Sequence, residues 1–101
     1  MTMAAKGIAK LIEECGELQQ ILGKKLAYYT TDKHPDGKGS LNERIEDEVA
    51  DVQAAIDLVL VNLNLDAKRV QQRRQKKYFQ FLHWHFERDN NQHAIDAKEQ
   101  T

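Results

Sequence analysis

A chain of 101 residues with a net charge of −1 is one small domain at most, without bulk electrostatic attraction to nucleic acid. Its 41% hydrophobic and 31% charged residues suit a soluble, globular, helical protein rather than a disordered one. No apolar run approaches the roughly 18–20 residues that span a bilayer, and Met1 to Gly7 lacks the apolar core of a secretory signal.

From about Met3 to Lys25, the apolar positions Ile8, Leu11, Ile12, Cys15, Leu18 and Leu22 recur with helical spacing. At about 100° per residue they form a stripe, with Glu14 on its edge, Glu17 one step outward and Glu13 further still. The single cysteine, Cys15, cannot form an internal disulfide; a reducing cytoplasm is the expected setting, and the thiol reads as a small packed group.

Tyr28 to Gly39 breaks the pattern, with the only proline and two of the five glycines between Thr30 and Gly39. Ser40-Leu41-Asn42-Glu43 has capping-box spacing, Ser40 as the N-cap and Glu43 reaching back. A second helix is predicted from about Leu41 to Asn62, its stripe made of Leu41, Ile45, Val49, Val52, Ile56, Val59 and Leu63. Glu48 lies at the edge of that stripe and Asp51 one step outward, as Glu14 and Glu17 do on the first helix. An antiparallel hairpin of the two helices brings these acids face to face.

After a break at Asn64-Leu65-Asp66, with Asp66 as N-cap, a third helix is predicted from about Ala67 to near Arg88. It carries Val70, Tyr78, Phe81, Leu82 and His85 on one side. Six of the ten residues from Lys68 to Lys77 are basic, and Arg74 and Lys77 fall inside the apolar stripe. A polar, frayed tail is expected from Asp89 to Thr101, leaving a single domain over residues 1–88. The predicted class is all-α, a bundle of three main helices. So short a bundle buries little, so a homo-oligomer with a four-helix-type core, a homodimer or homotetramer, is expected.

Two matched carboxylate pairs suggest a hard divalent cation. Mg²⁺ takes oxygen ligands, commonly one or two carboxylates together with substrate phosphates. The absence of His or Cys beside the acids argues against Zn²⁺. No glutamate has a histidine three residues later, so the sequence lacks the ligand pattern of a di-iron bundle. A triphosphate needs further cations, and Arg74 and Lys77 are the candidates for its phosphates, against the plainer reading of a solvated basic face.

Glu13-Glu14-Cys15-Gly16-Glu17-Leu18 resembles the Glu-Glu-x-x-Glu box of the all-α nucleoside triphosphate pyrophosphohydrolases, the MazG-like group. Glu48-Val49-Ala50-Asp51-Val52 resembles the Glu-x-x-Asp box of that family, and the basic, aromatic third helix is similar to its layout. The resemblance covers roughly residues 7 to 82. The 30 residues between Glu17 and Glu48 are a long spacer for the family. The resemblance implies hydrolysis of a ribo- or deoxyribonucleoside triphosphate between the α and β phosphates, giving monophosphate and pyrophosphate. It implies Glu14, Glu17, Glu48 and Asp51 as ligands of Mg²⁺, with Mn²⁺ a possible substitute, and Glu13 as an acid acting beside Glu14.

Three other readings compete. Asp32 to Glu43 nearly fits an EF-hand loop, with Gly37 and Glu43 in register, but His34 and Pro35 fit it badly and no second loop exists. Tyr28, Tyr29 and His34 are candidates to touch a nucleobase. A non-enzymatic helical module could instead use the basic third helix to bind an acidic partner or nucleic acid, though it lacks a recognition motif.

Overall fold

The computed structural model describes the backbone of residues 1–99 and the side chains of residues 1–86. The chain is all-α: α1 spans Met3–Ala27, α2 spans Leu41–Asn62 and α3 spans Ala67–Glu99, and no β-strand occurs among the described residues. The first two helices and their loop form one compact unit, Met1–Leu65, and the remainder forms a second, Asp66–Thr101. Among the described residues no helix is long and apolar enough to cross a membrane.

Local chemistry sets the helix ends. Thr2 caps α1, its hydroxyl accepting from the Ala5 N–H at 3.0 Å, and Lys24 and Lys25 complement the exposed carbonyls of its last turn. Ser40 caps α2, its Oγ accepting from the Glu43 N–H at 3.3 Å. The second capping carboxylate comes from Asp32 and not from Glu43 as the spacing suggested. Asp32 Oδ1 accepts from the Asn42 N–H at 2.9 Å, and Oδ2 accepts from Ser40 Oγ at 2.6 Å. Asp66 caps α3, accepting from the Arg69 N–H at 3.0 Å. Helix α3 continues past Arg88, where a frayed tail was expected. Residues 67–99 contain neither glycine nor proline, so nothing in that stretch terminates the helix.

Helices α1 and α2 pack as an antiparallel hairpin. At one end the Asn62 amide donates to the Met3 carbonyl at 3.1 Å, and at the other Lys25 meets Asp32 at 2.9 Å. The seam of α1 runs through Gly7, Leu11, Glu14, Leu18 and Ile21, and that of α2 through Leu41, Ile45, Glu48, Val52, Ala55, Val59 and Asn62. Both follow alternating three- and four-residue steps, the spacing that keeps one narrow stripe facing a partner helix. At Gly7 the helices approach so closely that a Cβ would stand 2.9 Å from the Asn62 amide nitrogen. Leu41 is fully buried, an anchor worth about 2 kcal/mol relative to exposure.

This seam corrects the predicted stripes. Ile8, Ile12, Cys15 and Leu22 on α1, Val49 and Ile56 on α2, and Leu63 just past its end lie outside it and are exposed. The apolar band of each helix is wider than one partner covers, and a two-helix contact buries only its narrow seam. The positions this places in the seam include two acids, Glu14 and Glu48.

Candidate functional site: an acidic seam between two helices

Glu14 lies one turn before Leu18 on the buried face of α1, and Glu48 one turn before Val52 on the facing side of α2. Glu14 was expected at a rim, but it is only 6% exposed, the one buried charged residue among those described. Its Oε1 accepts from the Lys10 ammonium at 2.9 Å, while its Oε2 is buried and has no hydrogen-bond partner. Glu48, half-buried, has the same kind of orphan, a buried Oε2 with no partner. Two unpaired carboxylate oxygens inside a helix seam are costly, because burial strips water from groups that nothing else satisfies.

These acids converge. One carboxylate oxygen from each of Glu14, Glu48 and Asp51 lies within 4.8 Å of the others, and Glu13, Glu14 and Glu17 form a second such triad. Glu14 belongs to both, so the structure brings together all five predicted acids around one shared carboxylate. Glu13 and Asp51 are exposed, which leaves the cluster open to water from both helices. The donor set is entirely carboxylate oxygen, which fits Mg²⁺ or Mn²⁺ and not a thiolate- or imidazole-preferring metal.

Electrostatics follow from the crowding. The Glu14 carboxyl is held below the usual range, chiefly by its hydrogen bond to Lys10, against the opposing effect of burial. Glu17 is pushed above the usual range, first by the Glu14 carboxylate beside it, then by burial and by Glu48 and Glu13. Lys10 is raised in turn by Glu14 and Glu13. Among the described residues, Lys10 is the cation that meets the cluster, at 2.9 Å from Glu14 and 3.6 Å from Glu13.

Beside the cluster a cleft of about 340 Å³ is lined by Glu17, Gln20, Ile21, Lys24, Arg44, Asp47 and Glu48. Lys10, Lys24 and Arg44 are site residues that sequence reasoning passed over, although helix spacing signals each. Lys10 precedes Glu14 by four residues, Arg44 precedes Glu48 by four, and Lys24 follows Glu17 by seven. Arg74 and Lys77 lie on α3, in the second unit; Arg74 donates to Gln71 Oε1 of its own helix at 2.7 Å, and Lys77 is half-buried.

The loop between the helices is tied down by a polar network centred on Asp32. Both oxygens of Asp32 are committed, to Lys25 and Asn42 on one side and to Ser40 on the other. Ser40 and Lys25 thereby hold Asp32 below the ordinary carboxylate range. Asp32 stands at φ 53°, a left-handed conformation that aspartate tolerates better than most residues, and Gly37 and Gly39 turn the chain at φ 70° and 94°. Among the described residues Glu43 belongs to no ligand cluster. Tyr28 and His34 meet edge to face, 5.0 Å between ring centroids, while Tyr29 is exposed with Lys25 over its ring.

Comparison with models of known families, with curated proteins and with solved structures finds no match.

Proposed function

We infer that this protein is a Mg²⁺-dependent nucleoside triphosphate pyrophosphohydrolase, similar to the MazG-like group whose acidic boxes its own resemble. One observation carries the reading: Glu14, a buried carboxylate with an unpaired oxygen, sits in a helix seam within ligand distance of Glu48 and Asp51. A merely solvated acidic face has no reason to bury such a group, and a divalent cation among these carboxylates would offset the charge that burial strips of water.

In this reading Glu14, Glu17, Glu48 and Asp51 hold Mg²⁺. The ion supplies charge neutralisation for phosphate oxygens and makes an attacking water more acidic. Glu13, exposed beside the cluster, is the acid that would take a proton from that water, and Lys10, paired with Glu14 at 2.9 Å, would balance the charge of that carboxylate when no cation is bound. Arg74 and Lys77 are the phosphate ligands that the sequence suggests on α3. The substrate is a ribo- or deoxyribonucleoside triphosphate, and the products are monophosphate and pyrophosphate. The free thiol of Cys15 suits a cytoplasmic setting. The uncovered apolar face of α1 supports self-association into a homodimer or homotetramer.

The test is a release assay across ribo- and deoxyribonucleoside triphosphates with Mg²⁺ or Mn²⁺. Pyrophosphate that disappears with EDTA supports the activity. Absence of pyrophosphate from the whole panel removes it.

A further inference from the structure

Two cations line the acidic cleft and neither contacts the acids that would hold metal. Lys24 lies about 10 Å along α1 from Glu17, and Arg44 about 6 Å along α2 from Glu48, so both stand to one side of the cluster. They are drawn together by a loop carboxylate. Arg44 Nη1 reaches Asp36 Oδ1 and Oδ2 at 3.3 Å each, and Lys24 Nζ is 4.0 Å from Oδ2. The Asp36 carboxylate is also fixed from its own loop, Oδ1 accepting from the Lys38 N–H at 3.1 Å, while the Asp36 N–H donates to His34 Nδ1 at 3.1 Å. All three side chains are largely withdrawn from water, with 35% of Lys24, 23% of Arg44 and 22% of Asp36 exposed.

A guanidinium and an ammonium converging on one anion, beside a carboxylate cluster suited to Mg²⁺, are the two halves of a polyphosphate site. Metal neutralises some of the phosphate oxygens, and the remainder need fixed cations in the same cleft. A carboxylate presents oxygens much as a phosphoryl group does, and a guanidinium binds either. We propose that Lys24 and Arg44 are the phosphate-binding arm of the acidic cleft, and that Asp36 occupies in the free protein the position a substrate phosphate takes. This rests on the triphosphate reading above and deepens it. It adds, to the α3 cations that the sequence suggests, two phosphate-binding cations on the same helices as the acids, and makes the loop carboxylate a competitor of the substrate.

The opposing explanation is a structural clamp, in which Asp36, Lys24 and Arg44 only hold the loop. The two differ in sign. Binding of inorganic tripolyphosphate in Mg²⁺ is measured by calorimetry for the full chain and for Arg44→Gln, Lys24→Gln and Asp36→Asn. KM and kcat are measured in parallel on whichever nucleotide the release assay identifies. The proposal expects about tenfold weaker tripolyphosphate binding in Arg44→Gln and Lys24→Gln, and tighter binding in Asp36→Asn. KM moves the same way while kcat changes little. Binding that Asp36→Asn weakens as Arg44→Gln does, or that neither cation variant alters, overturns it. Lys24→Gln breaks only the longest of the contacts, so it decides the matter even if the other variants disturb the loop. If the intact protein releases no pyrophosphate, the hydrolase reading fails, whereas the tripolyphosphate series still decides the role of the cations.

Discussion

Glu14 is the residue on which the account turns, because its two oxygens face different worlds. One is neutralised by Lys10, and the other is buried without a partner beside Glu48 and Asp51. If the cluster holds metal, Glu14→Gln or Glu48→Gln lowers pyrophosphate release by about 100-fold or more, as loss of a preorganised charge at a reacting centre does. Glu17 carries a separate prediction. Its folded pKa is raised, so ionising it costs more in the fold than in the unfolded chain. Its contribution is therefore neutral below the ordinary carboxylate range and becomes destabilising as pH rises through the unfolded and then the folded value. Thermal melts of the metal-free protein near neutral pH should show Glu17→Gln more stable than the parent, with saturating Mg²⁺ reversing the order. Equal melting temperatures in both conditions would remove the crowding argument.

At the scale of elements, the loop and the hairpin seam make their own demands. Asp32 has a depressed pKa, so its share of stability is fully present above the unfolded value near about 3.9 and is lost as pH falls through the folded one. Asp32→Asn should lower the melting temperature at neutral pH, with the difference from the parent shrinking in acid. Ser40→Ala removes a helix cap and should cost about 1 kcal/mol in a denaturant titration. At Gly7, a Cβ would strike the Asn62 amide that holds the Met3 carbonyl, so Gly7→Val should cost about 1–3 kcal/mol by the same measurement.

Much of this scale was legible in the sequence. Periodicity located α1 and α2, Ser40 and Asp66 announced the caps of α2 and α3, and the two acidic boxes were brought together as their spacing implied. What it could not resolve was which part of a wide apolar band faces the partner helix. Ile8, Ile12, Cys15 and Leu22 are as apolar as a seam requires, yet the seam runs through Gly7 and Glu14, because close approach favours a glycine and, in the reading proposed here, the acids serve a site. The capping role of Asp32 was hidden for another reason. It depends on a left-handed turn eight residues upstream of the cap, and no local motif describes that. The length of α3 was missed because polar composition was read as fraying, when no residue in that stretch breaks a helix.

At the scale of the molecule, the apolar surface that the two-helix hairpin does not bury within itself is the main fact. Ile12 is 69% exposed, and with Ile8, Leu11, Cys15, Leu18, Leu22 and Val59 it borders an open apolar groove on the hairpin. A chain this small gains from covering such a face, and a second copy of the hairpin completes a four-helix core in the reading proposed here. Light scattering after size exclusion should report a multiple of 11.7 kDa, and Ile12→Glu combined with Leu22→Glu should reduce it toward one chain. A parent that runs as a monomer at every concentration would contradict the oligomer. The basic stretch of α3 gives the competing view of the molecule, a binding module without chemistry, in which substitutions at Glu14 and Glu48 have no functional consequence.

The most direct measurement separates these views in one assay. The intact protein and Glu48→Gln are each incubated with a nucleoside triphosphate and Mg²⁺, and pyrophosphate, orthophosphate and the nucleotide product are quantified together. The account predicts equal amounts of monophosphate and pyrophosphate from the intact protein, none with EDTA, and almost none from Glu48→Gln at unchanged helical content. Orthophosphate with diphosphate, or release that Glu48→Gln leaves intact, would contradict it.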